Sequence, residues 1–350
     1  MQSAMDSAAP GSTVKVSGTC AGVQSRDGVT QTVYISQSVA IQGGYAATDW
    51  LADADPVAHP TVLDAQVLGR VMYVAPGYTV TIDSLILTGG DAAMGGGPSF
   101  GGGIHNNGVL IVTGSVITGN VSPAWAGGLM NSGVAVVDKS TFTHNYGEGG
   151  GIFNDRFCSL AIAHSTVSGN RRLYNSGGIQ NRGILTVTNS TISGNDGEGV
   201  DNYYGGGTAT IRQSSIISNT GAGIENRDYG GMATVNLAGT VVAYNGGADC
   251  RNGASFNDLG YNLVQDGTCI TAETSLAGDP KLRPLASNGG ATQTHALHPV
   301  SPAVDAIPSD GCLTAFDQRG VSRPQGAGCD IGAYEFSGHI SFLPTLAKDG

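Results

Sequence analysis

GGIQNRGILTVTNSTISGN, residues 177–195, decides how this chain folds. From about residue 95 to 245 the same phrase recurs: Gly-Gly-Ile-x-Asn, an aliphatic run, then Ser-x-Ile-x-x-Asn. The second Asn of each unit falls at Asn120, Asn145, Asn170, Asn195, Asn219 and Asn245, in steps of 25, 25, 25, 24 and 26 residues. The first falls at Asn106, Asn131, Asn154, Asn181, Asn202 and Asn226, in steps of 25, 23, 27, 21 and 24. Length varies only in the loops.

Within a unit, apolar residues alternate with a period of two. Counted from the Ser or Thr, the fifth and third residues before it run from Leu110 and Val112 to Val235 and Leu237. The second residue after it runs from Ile117 to Val242. Such alternation marks strands with one buried face, and a constant repeat stacks like on like. A helical solenoid would need a 3.6-residue period, and the Gly and β-branched content opposes it. A propeller blade needs about 40 residues. The expected fold is all-β: a right-handed parallel β-helix of three sheets, about 25 residues per coil, rising about 4.8 Å per coil.

The aligned asparagines are expected to stack at corners and bond along the ladder. The Gly pairs before each Ile (102 and 103, 127 and 128, 150 and 151, 177 and 178) are expected to adopt backbone angles closed to other residues. Residues 4–9 read as a short helix covering the apolar end of the coil. The chain divides into a solenoid with its N-terminal cap at 1–278, an irregular C-terminal segment packed on it at 279–336, and a tail at 337–350.

Composition narrows the partners. Gly is 56 of 350 residues and charged residues are 12%, against a usual share of roughly 25%. Lys+Arg 16 against Asp+Glu 27 leaves a net charge of −11, which argues against nucleic acid and acidic membranes. It also disfavours polyanionic glycans unless a local Arg patch or a bridging cation intervenes. No apolar run of about 18 residues exists, so no membrane span is expected. No signal peptide is seen, and Met1 stands directly before what reads as mature sequence. Cys250 with Cys269 and Cys312 with Cys329 form local pairs that suggest an oxidising compartment, while Cys20 and Cys158 are expected to stay free.

The end of the chain carries its own signature, DPKLRPLASNGGATQTHALHPVSPAVDA followed by DQRGVSRPQGAGCDIGAYEF. Together with the GGIxN and STISGN repeats and an early IQGGYAATDW, it resembles the choice-of-anchor Q family of bacterial surface proteins. The resemblance implies secretion and cell-surface display, and brings no catalytic residues with it. LPTLA at 343–347 lacks the Thr-Gly of a sortase site.

In Gly-Gly-Ile-x-Asn the x position faces out, giving a row of His105, Met130, Phe153, Gln180, Asp201 and Glu225. The loop after the strand adds Asp155, Arg156, Arg182, Tyr203, Tyr204, Arg227 and Tyr229; the loop before it adds Trp125, Tyr174 and Glu198. Together they line one long groove, where parallel β-helix proteins often bind polysaccharide. Asp201, Glu225, Arg182 and Arg227 are the candidate catalytic set. Tyr203, Tyr204, Tyr229, Arg156, Asp155, Trp125 and Tyr174 are the candidate substrate contacts.

Three readings compete: a glycan-binding surface protein, a polysaccharide lyase or glycoside hydrolase, and a structural stalk or adhesin. Binding asks only for aromatic platforms and hydrogen-bonding groups. Catalysis asks for a base beside a charge-neutralising Arg or cation, or for two opposed carboxylates. No zinc pattern or nucleophile elbow is present. The sequence assigns no certain cofactor; Ca²⁺ is compatible with the acidic oxygens, although the calcium-binding Gly/Asp nonapeptide is missing. His144 and His164 read as turn caps or solvent-facing residues. A monomer is expected.

Overall fold

A computed structural model of the chain describes residues 1–338 except 95, 96, 98, 204, 205, 228, 229 and 231, and Asn175 by its backbone only. Each coil contributes three strands, as in Ile104–Asn106, Val109–Thr113 and Val116–Thr118. Strands of one kind pair in parallel with those of the next coil, giving a first, second and third sheet of 12, 10 and 11 strands among the described residues, the first count including the antiparallel Gln24–Arg26 and the flanking Val121–Trp125 and Tyr146–Glu148. Leu110, Val112, Ile117 and their counterparts in successive coils fill the interior, nearly all below 2% exposed. The fold expected from the repeat is the fold observed.

The corners explain the polar residues of the repeat. In one ladder Asn106, Asn131, Asn154, Asn181, Asn202 and Asn226 each donate Nδ2 to the next Oδ1 at 2.8–3.0 Å, and Asn252 receives the last bond. In a second, Asn120 through Asn245 do the same at 2.9–3.0 Å, and Asp249 receives the last bond. A third corner runs Ser115, Ser140, Ser165, Ser190, Ser214, Thr240, each backbone N–H donating to the next hydroxyl at 3.1–3.4 Å. Buried polar groups are thereby satisfied without water. The residue before each Ser or Thr of the third corner and before each Asn of the second ladder bends the chain through the left-handed region, whether Gly or a residue with a side chain, among them His144 (φ 55°) and His164 (φ 46°). His144 is exposed, and His164 Nδ1 lies 2.8 Å from Asp138 Oδ1.

The Gly pairs differ from expectation. None of the eight has a positive φ; what they need is space. A Cβ on Gly128 would lie 2.3 Å from the Gly151 carbonyl oxygen, and one on Gly177 2.1 Å from that of Asp196. The first glycine of each pair meets the backbone of the flanking chain and the second meets its counterpart in the next coil, and only glycine allows the approach.

At the N-terminus the helix Gln2–Ser7 lays Met5 on the core, and the Gln2 amide bonds both backbone groups of Tyr34. At the other end residues 279–336 lie along the outside of the third sheet. Thr166 Oγ1 donates to the Gln293 carbonyl, Thr191 Oγ1 to Gln318 Oε1, and Ser215 Oγ accepts from the Ala333 N–H. The segment buries the outward Ile217, Val241, Ala243 and Leu263. Its DQRG and DIGAYE residues, with the Arg323-Pro324 between them, form an internal knot: Arg323 pairs with Glu335 at 2.7 Å, both side chains fully buried, and Arg319 pairs with Asp317 at 2.7 Å. Cys250–Cys269 and Cys312–Cys329 are disulfides, and Cys20 and Cys158 are free.

Candidate functional site

The short Ile-x-Asn strands of the first sheet set the register. Their outward positions align as Tyr34, Tyr73, His105, Met130, Phe153, Gln180, Asp201, Glu225 and Arg251. This row faces away from the core, yet from His105 to Glu225 it is buried, at 0–8% exposure. The open groove floor expected from the sequence is therefore corrected to a covered one. The cover is a second layer of chain: Val121–Trp125, Tyr146–Glu148 and the leading parts of Arg171–Asn181 and Asp196–Asn202 pair in parallel beside the row. Met130 and Phe153 pack under it with Ala126, Phe100 and Trp125, a small apolar cluster apart from the coil interior.

One half of the row is aromatic. Tyr34 stacks on Tyr73 at 5.0 Å, Tyr73 meets His105 edge-on, and Trp125 lies between Phe100 (4.6 Å) and Phe153 (5.1 Å), nearly parallel to both. The Arg182 guanidinium continues the stack, 4.8 Å from the ring centres of Phe153 and Tyr203 and 5.1 Å from that of Trp125. Its Nε also donates to the Tyr203 hydroxyl at 2.9 Å. Phe100, Trp125 and Arg182 keep part of their surface in solvent, whereas Tyr203 is nearly covered. Burial raises the Tyr203 phenol above its ordinary range. Burial, aided by the fully buried Arg70, lowers His105 to about 3, so its imidazole is neutral.

The other half is charged. Asp201 and Glu225 occupy paired positions on adjacent strands, and Arg227 sits between them, its Nε 3.0 Å from Asp201 Oδ1 and 3.5 Å from Glu225 Oε1. Glu198 Oε1 lies 3.8 Å from Arg227, Gln180 Nε2 donates to Asp201 Oδ2 at 3.3 Å, and Arg251 closes the row on Glu225 at 2.9 Å. Burial pushes the Asp201 carboxyl up to about 7, with Arg227 opposing and the two glutamates adding to the rise. Glu198 is raised as well, first by burial. Its Oε2 has no hydrogen-bond partner among the described residues. Like charges one strand apart are relieved here by an interposed guanidinium, and burial shifts the Asp201 carboxyl toward its protonated form. The described residues hold no group of three or more His, Cys, Asp or Glu side chains placed to bind a metal ion.

The remaining candidates lie on the rim. Tyr174 and Arg156 are exposed, and Asp155 Oδ1 accepts the Arg156 N–H. Tyr204 and Tyr229 fall outside the described residues. Arg251 and Phe100 escaped the sequence reading. Arg251 lies in Cys250-Arg251-Asn252, a unit in which Cys replaces the diagnostic Ile, and Asn252 stands 26 residues after Asn226 as the available clue. Phe100 follows a glycine-rich stretch with no period.

No protein-family model matches the chain, and no curated protein is similar to it. Its fold is similar to a solved structure, the crystal structure of pectate lyase Pel9A, with a TM-score of 0.55 and 14% identity, covering 95% of this chain and 90% of that one.

Proposed function

We propose that this is a secreted or cell-surface β-helix protein that binds a polysaccharide along the outer side of its first sheet. The observation that carries the reading is the partly exposed stack of Phe100, Trp125 and Arg182 over Phe153 and Tyr203. The solvent-exposed parts of these rings and of the guanidinium offer apolar and cationic contact at fixed spacing to a sugar chain, and the rim residues Tyr174, Arg156 and Asp155 add hydrogen-bonding groups. Balanced charge along the row favours a neutral or weakly acidic glycan. Two disulfides support an oxidising compartment. Membership in the choice-of-anchor Q family is part of the same proposal, supported by the repeat and by the closing motif.

The test is retention of the full chain on a panel of neutral and uronic polysaccharides. Trp125→Ala should weaken retention about tenfold, equivalent to about 1.4 kcal/mol. Equal retention of parent and variant on every glycan, or none by either, would remove the reading.

A second reading, a polysaccharide lyase or glycoside hydrolase, is favoured by one observation: a carboxyl near neutral pKa, Asp201, held between Arg227 and Gln180. The fold's likeness to a pectate lyase agrees with it. Against it, Asp201 has no exposed surface. New double bonds by absorbance, or new reducing ends, lost in Asp201→Asn and Glu225→Gln, would establish turnover at this site.

A further inference from the structure

The outer faces of the three sheets meet three fates. The first lies under its own flanking layer and the third under residues 279–336. Among the described residues, no such layer lies over the second. Its central outward row runs strand by strand from Thr13 to Asn257, and the neighbouring row from Thr79 to Ser255, without one charged residue in either. This holds in a chain of net charge −11.

The apolar residues on this face are gathered. Val109, Ile111, Val134, Val136, Ala161 and Ile184 adjoin one another across four consecutive strands, with Val134, Val136 and Ile184 at 43%, 40% and 57% exposure. Uncharged Thr, Ser and Asn flank them toward both ends of the sheet. The third outward row, at one margin, carries both signs, Asp83 and Asp138 with Lys15 and Arg212. An apolar centre within a polar rim is the anatomy of a protein interface.

We infer that a second copy of this chain docks here, sheet against sheet about a two-fold axis. Two observations select that occupant. Copies that each carry −11 repel, and this face brings them together with no charge at its centre. The area also fits: ten strands at about 4.8 Å, seven of them five residues and about 17 Å long and the others shorter, offer roughly 700 Å² per copy, close to the share of a standard stable interface. Flat parallel sheets of the same twist stack face to face at about 10 Å. The two covered rows of the first sheets then lie on the outside of the pair. The inference departs from the monomer expected from the sequence.

Light scattering and sedimentation of the full chain across a wide concentration range test it. The expected mass rises to twice that of one chain. Val136→Lys and Ile184→Lys should each weaken association at least about tenfold, while Val300→Lys, on the C-terminal segment, leaves it unchanged. Circular dichroism confirms that each variant is folded, and Val136→Thr, which keeps the β-branched shape, should weaken association less than Val136→Lys. In the parent protein, amide exchange in residues 109–113, 134–138, 159–163 and 184–188 should slow as concentration rises. A monomer at every concentration, or a dimer that survives both lysine variants while folded, overturns the inference. So does a monomer that binds an insoluble neutral glycan through this face.

Discussion

Asp201 is one methylene shorter than Glu225 and points from the adjacent strand, yet the two are treated differently. Asp201 is fully enclosed and its carboxyl is pushed up to about 7, whereas Glu225 also reaches the outer Arg251. A carboxyl whose folded pKa exceeds its unfolded value of about 3.9 binds protons more tightly when folded. Its contribution is therefore fully present below pH 4 and is lost as pH rises through 7. Asp201→Asn removes that loss. Relative to the parent, the variant should be near neutral in stability at pH 4 and gain at pH 8, by up to about 4 kcal/mol. Thermal melts at the two pH values check this; Asp330, also raised to about 7 by burial, titrates in both proteins and cancels. The aligned Asp201, Glu225 and Arg227 were legible because a period of about 24 residues places them side by side. Their burial was not, because the covering layer is aperiodic chain. The clue lay in Met130 and Phe153, apolar residues at a position that alternation assigns to solvent.

Among the elements, the asparagine ladders separate this coil from a stack of aliphatic strands. Asn170 Oδ1 accepts from the Asn145 N–H and Nδ2, and its own Nδ2 donates to the Phe142 carbonyl and to Asn195. Asn170→Ala strands several of these groups in a dry corner, at about 1–3 kcal/mol each, so a loss of about 3 kcal/mol or more is expected. Urea unfolding at constant m-value measures it. A substitution such as Val134→Thr, on the uncovered face, should cost far less. The ladder was legible from the spacing of Asn120 to Asn245 alone. The conformation of the Gly pairs was not: the sequence reports a residue without a side chain, and either a left-handed turn or a close approach requires one. Here the neighbours are the flanking chain for one glycine and the next coil for the other, visible only in three dimensions.

At the scale of the molecule, the C-terminal segment joins coils that otherwise know only their neighbours. Gln318 alone bonds Thr191, Thr166 and the Ser165 carbonyl, residues up to 153 positions away, while coil contacts span about 25. A chain ending at residue 278 should keep its β-sheet signal but bare Ile217, Val241 and Leu263. Their exposure, at about 1.5–3 kcal/mol per side chain, predicts a loss of about 5 kcal/mol and new binding of a hydrophobic dye. The closing motif was legible as a signature, and its chemistry, a buried Arg323–Glu335 pair inside a knot of backbone bonds, became readable only once folded. A solenoid without such a segment can fray from its free end one coil at a time, each step small and quickly reversed. A strap fastened across several coils forbids the small steps, because it must release before any coil beneath it can leave. Time, more than equilibrium, is what the strap alters: the folded form should persist for long periods under proteolysis or chemical stress, and then fail all at once.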